Sequence, residues 1–118
     1  MRGLIATLTL AGALVALAAA LPVGAAVAKL NGVVGPGATI SLKQGAKAVT
    51  TVKPGKYSLV VSDRSTFHNF RLKGPGVNVA TKVGTTGTKT FPVKLVRGTY
   101  TIVCDPHKTT MKRTLTVR

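Results

Sequence analysis

The sequence is almost without acid: two aspartates, Asp63 and Asp105, and no glutamate face seventeen Lys and Arg, for a net charge of +15. Without paired carboxylates, hydrolysis of the two-carboxylate kind has no residues to work with. Tryptophan is missing and aromatics make up 4% of the chain. So few stacking platforms argue against nucleic acid, the partner that a strongly basic chain otherwise suggests. Cys104 is the single cysteine, which excludes a disulfide within the chain. There is no Ser-His-Asp arrangement and no glycine-rich phosphate cradle, and no enzyme activity is expected.

Charge is also missing from one long stretch. Arg2 is followed by a run without a charged side chain from Leu4 to Ala28, which closes on Ala26-Val27-Ala28 before Lys29. A basic head, an apolar run and a small-x-small end predict a signal peptide over residues 1–28. The run is also long enough to span a bilayer uncleaved. Pro22 and Gly24 near its end favour cleavage. Residues 29–118 would then form one exported domain, in a periplasm, outside the cell, or on the outer face of the cytoplasmic membrane. So small a domain usually needs a disulfide or a metal for stability. In an oxidising compartment an unpaired cysteine calls for an explanation.

Beyond Ala28 the chain has no long helical periodicity. Short alternating runs rich in Val, Thr and Ile are separated by Gly and Pro. Ala38–Lys43 alternates around Ile40 and Leu42. Lys53-Pro54-Gly55-Lys56 reads as a turn. Tyr57, Leu59 and Val61 share one face of the next run, and His68, Phe70 and Leu72 share a face of another. Residues 77–87 read as a polar loop or irregular edge. Phe91, Val93 and Leu95 alternate on a strand that Pro92 suits to an edge. Tyr100, Ile102 and Cys104 share a face, and Leu115 and Val117 end the series. Regular spacing of this kind predicts an all-β Greek-key β-sandwich. Nothing in the alternation demands a dimer, and a monomer is expected.

After Ala28 the chain holds two histidines, one cysteine and one methionine, and three of the four lie in Cys104-Asp105-Pro106-His107-Lys108-Thr109-Thr110-Met111. The fourth, His68, is predicted on a strand. The two-residue period turns His68 and Cys104 toward the interior. A thiolate and two imidazoles with a weak axial thioether form a type 1 copper site, in which soft and borderline donors tolerate both Cu(I) and Cu(II). Zinc is less well matched, because a fourth hard or thiolate ligand is missing. Asp105 has no second carboxylate or nucleophile beside it and reads as a loop residue. Asp63, before Arg64-Ser65-Thr66, reads as a turn cap.

The pattern His68-Asn69-Phe70 followed by Gly98-x-Tyr100-x-x-x-Cys104-x-Pro106-His107-x-x-x-Met111 resembles the cupredoxins, over roughly Gly35 to Val117. The resemblance implies one copper ion held by His68, Cys104, His107 and Met111, and single-electron shuttling between redox partners. It also implies that Asn69 ties the two ligand-bearing segments together. Arg113 stands where a glycine is common in that family, and Ile102 where an aromatic is usual. A carrier or sequestering protein using the same copper ligands is the alternative, and a metal-free surface-adhesion sandwich is a further one. The charge favours an acidic redox protein or an anionic membrane or cell-wall surface as partner.

Overall fold

The structure, a computed structural model, describes residues 27–118. All but the last two residues of the expected signal peptide lie outside the described residues. Ten strands follow in order: β1 (Ala28–Val34), β2 (Ile40–Gln44), β3 (Lys47–Ala48), β4 (Thr51–Val52), β5 (Gly55–Asp63), β6 (Arg71–Gly74), β7 (Val77–Ala80), β8 (Gly87–Leu95), β9 (Gly98–Val103) and β10 (Lys112–Val117). Among the described residues a single 3-10 turn occurs, at Asp105–His107. Among the described residues no helix is long and apolar enough to cross a membrane.

The strands form two five-stranded sheets, ordered β3-β2-β1-β5-β8 and β4-β10-β9-β6-β7. This is the expected β-sandwich. Both sheets are mixed, since β1 runs parallel to β5 and β4 parallel to β10. Alternation along β5 sends Tyr57, Leu59 and Val61 inward, and along β9 it sends Tyr100 and Ile102 inward to meet them. Leu30, Phe70, Leu72 and Leu115 fill the space between, each 1% exposed or less. Pro92 lies on β8, an edge strand, where its missing N–H disturbs no ladder on the open side.

One expectation needs correction. His68 is not on a strand: β5 ends at Asp63 and β6 begins at Arg71, so His68 lies in the segment between them. The alternation fails there because Asn69 is buried along with its neighbours His68 and Phe70. Side chains, not a neighbouring strand, receive the N–H groups of Asn69 and Phe70: Cys104 Sγ at 3.5 Å and Thr81 Oγ1 at 2.9 Å. Residues 77–87 combine the two forms expected of them: Val77–Ala80 pair with Arg71–Gly74 as an edge strand, and residues 81–86 run as loop.

At the end of the sandwich far from the histidines, Tyr100 locks two turns. Its hydroxyl donates to Pro75 O at 2.9 Å and accepts from Val96 N at 3.1 Å. Its ring lies flat against Gly74, where a Cβ would collide with it. Tyr100→Phe leaves a carbonyl and an amide without this partner, and is expected to cost about 1–3 kcal/mol in urea unfolding. A loss near zero would mean that water replaces the hydroxyl at no cost.

Candidate metal centre

Strand pairing builds the site. Cys104 directly follows β9, and Met111 directly precedes β10. The register opposing Lys112 to Val103 brings the two ends of the intervening loop together. Cys104 N donates to Met111 O at 3.1 Å, which closes the loop at its base. Inside it, His107 N donates to Cys104 O and Met111 N to His107 O, both at 2.9 Å. Pro106 sits in the first turn of the 3-10 segment, where its missing N–H costs nothing. The histidine is thereby carried back over the cysteine. These backbone bonds hold the loop closed at its base and across its middle.

His68 arrives from the segment that leads into β6, the strand beside β9 in the same sheet. His68 Nδ1 and His107 Nδ1 lie 3.2 Å apart, and Cys104 Sγ is 3.7 Å from the first and 3.5 Å from the second. A point in the plane of these three atoms lies about 2 Å from each, which is the length of a metal–imidazole bond and slightly short of a metal–thiolate bond. Cys104 and His68 are buried, whereas the His107 ring reaches the surface. With Nδ1 turned inward, the Nε2 edge of His107 faces outward. A thiol and two imidazole nitrogens converging in this way fit a copper ion of the type 1 class by donor chemistry as well as spacing. Met111, the fourth predicted ligand, closes the same loop and is buried at 1% exposure.

Around the three donors lies a polar tie that periodicity did not reveal. Asn69 Oδ1 accepts from Asp105 N at 2.7 Å, and Asn69 Nδ2 donates to Asp105 Oδ2 at 2.8 Å and to Thr81 O at 3.1 Å. The contact between ligand-bearing segments that the resemblance implied for Asn69 is therefore present. Asp105, read from sequence as a plain loop residue, also receives a two-pronged bond from Arg71, with Nε to Oδ1 at 2.8 Å and Nη2 to Oδ2 at 2.9 Å. Asp63 caps its turn as expected, accepting from Ser65 N at 3.2 Å, and its other oxygen accepts from Thr81 Oγ1 at 3.0 Å.

The Arg71 hydrogen bond holds the Asp105 carboxyl below its ordinary range; burial opposes it, and the Asn69 bond and the charges of Arg71 and Lys108 add to it. A depressed carboxyl contributes stability that is present above its unfolded-state pKa near 3.8 and is lost as pH falls through the folded value. With both side chains 31% exposed, screening limits the pair to about 1 kcal/mol. Asp105→Asn should therefore destabilise the metal-free protein at neutral pH, with the gap to wild type closing below about pH 4. Denaturant unfolding across pH checks this, and a gap that does not narrow at all as pH falls below about 4 would contradict it.

No family model matches the chain, and no curated protein matches it in sequence. Solved structures do match. Reduced rusticyanin aligns over 76% of this chain and 78% of its own at 19% identity, with a TM-score of 0.54. Rusticyanin from Thiobacillus ferrooxidans aligns over 76% of both chains at 20% identity, with a TM-score of 0.53. A structure described as the copper protein rusticyanin gives 17% identity over 76% of both chains, with a TM-score of 0.54. The sandwich of this chain, with His68, Cys104 and His107 gathered at one end, thus has the cupredoxin fold.

Proposed function

We propose that this chain carries single electrons on one type 1 copper ion, which His68, Cys104 and His107 would hold, with Met111 as a weaker fourth ligand. The observation that carries the reading is the convergence of two imidazole nitrogens and a buried sulfur on one point at the end of a rigid sandwich. Bound copper would supply the Cu(I)/Cu(II) couple. The chain's own part is to fix the donors so that neither oxidation state demands rearrangement, which the backbone-closed loop and the Asn69 tie favour. Burial of Cys104 keeps water from the thiolate.

His107, the one donor residue that reaches the surface, is the port for electrons. Phe67, at 77% exposure next to His68, offers an apolar contact for docking. Beside the port, a groove of about 460 Å³ is lined by Arg71, Lys73 and Lys108 among others. An acidic redox protein is the partner this rim fits, and export through the leader at residues 1–28 would place the encounter outside the cytoplasm. The partner on-rate is expected to fall steeply as ionic strength rises from 0.01 to 0.5 M. A flat salt dependence would remove the electrostatic part of the proposal.

The decisive experiment is an anaerobic copper titration followed by visible absorption and electron paramagnetic resonance after oxidation. One equivalent should give an intense thiolate-to-copper band with narrow hyperfine splitting. Tight binding without that band, together with fast copper transfer to an acceptor, would favour a copper carrier instead. No binding would leave a metal-free sandwich.

A further inference from the structure

We infer that Arg71 is a positioning residue for the thiolate: through Asp105 and Asn69 it holds the backbone N–H that points at Cys104 Sγ. The inference rests on the copper reading above and takes the Asn69 tie one link further. Sixteen Lys and Arg follow Ala28, yet among the described residues the ion pair of Arg71 with Asp105 is the one formed. Arg71 touches no donor atom itself. It stands on β6 opposite Val103, the residue before Cys104. Its third nitrogen, Nη1, donates to Asn78 Oδ1 on β7 at 2.7 Å, so the guanidinium is fixed on both sides.

From there the chain of contacts is continuous. Two parallel bonds from Arg71 fix the plane of the Asp105 carboxylate. That carboxylate accepts from Asn69 Nδ2, and the Asn69 carbonyl accepts from Asp105 N. Asn69 is gripped at both ends of its amide, and its own backbone N–H is left aimed at Cys104 Sγ, 3.5 Å away. A donor on the sulfur draws electron density from the thiolate and favours Cu(I) over Cu(II). Arg71 also cancels the negative charge that Asp105 would otherwise place one residue from the thiolate. Loosening the donor and uncovering that charge both favour the oxidised ion, so the two consequences of removing Arg71 have the same sign.

The test compares Arg71→Gln and Arg71→Lys with wild type, in metal-free and copper-loaded full-length protein. In the metal-free form, amide hydrogen exchange at Asn69 and Asp105 should speed up about tenfold in Arg71→Gln. In the loaded form, the ratio of Cu(II) to Cu(I) affinity should rise about tenfold, which lowers the one-electron potential by about 59 mV. The thiolate band should shift while one equivalent is still bound. Lysine keeps the charge but not the fork, so it should restore part of the potential and little of the exchange protection. Unchanged exchange, band and potential in Arg71→Gln would overturn the inference, as would a change in melting temperature alone. If wild type itself gives no blue band, the copper reading fails, and the exchange data still decide whether Arg71 holds the tie.

Discussion

Cys104→Ser is expected to abolish the intense visible band of the copper-loaded protein entirely, while the sandwich remains folded. The sulfur is the donor from which charge transfer to copper arises, and a serine hydroxyl is a hard, neutral group that does not substitute for a thiolate. Affinity for Cu(I) should fall by at least 100-fold, because the remaining donors are two imidazoles and a thioether. The fold should survive for local reasons. Cys104 is fully buried, but its neighbours include the Asn69 N–H and two imidazoles, so a hydroxyl there finds hydrogen-bond partners. Far-ultraviolet circular dichroism and the metal-free melting temperature should change little. A blue band surviving in Cys104→Ser would eliminate the proposed thiolate, whatever else the protein binds.

Phe70→Ala should produce the largest loss of stability from a single side chain near the site. Phe70 is 1% exposed, and its ring lies over Gly32 of the opposite sheet, at a spot where a Cβ on Gly32 would come within 2.6 Å of the ring. The glycine leaves a slot and the phenylalanine fills it, bridging the two layers. Truncation removes that bridge and opens a cavity that the backbone of β1 is poorly placed to fill, at a cost of about 3–5 kcal/mol. For a domain of this size, the melting temperature should fall by roughly 15 °C or more. Phe67, three residues earlier but 77% exposed, provides the control: Phe67→Ala should stay within about 0.5 kcal/mol of wild type. Equal effects from the two would mean that the ring of Phe70 is not the sheet-to-sheet contact.

Alternation alone located much of this architecture. Tyr57, Leu59 and Val61 on β5, Tyr100 and Ile102 on β9, and Leu115 and Val117 on β10 all point inward as the period of two requires. It was blind where side chains replace ladder bonds. The His68 segment reads as a strand because His, Phe and Leu alternate. In the structure, though, its amides are taken by Cys104 and Thr81. β1 begins at the end of the long uncharged apolar run, whose composition hides the strand's own Leu30-Gly32-Val34 pattern. β3 and β4, at two residues each, are too short to have a period. Cys104 and His107 were legible because spacing in the loop and phase on β9 are local properties, and their donor atoms converge with that of His68. The Arg71–Asp105 pair was not legible, because it depends on which residue of β6 stands opposite β9. That register is set by the packing of the whole sheet, with the partners 34 positions apart in the chain.

The directions of the first and last strands set how the molecule would be wired. β1 enters at Ala28 opposite Tyr57 and climbs to Val34, whose carbonyl accepts from Arg64 N in the histidine-bearing segment. β10 leaves Met111 and descends to Val117, and Arg118 N then bonds Val52 O. Both ends of the described chain therefore hang from the pole away from the donors, about 20 Å from them at the rise of a seven-residue strand. A linker, a gold-binding tag or a second domain spliced to either end would hold the protein by its base and leave His107 facing the solution. Grafted on an electrode in that pose, the molecule would present its port to a diffusing partner, and the conductor beneath would be the slower contact.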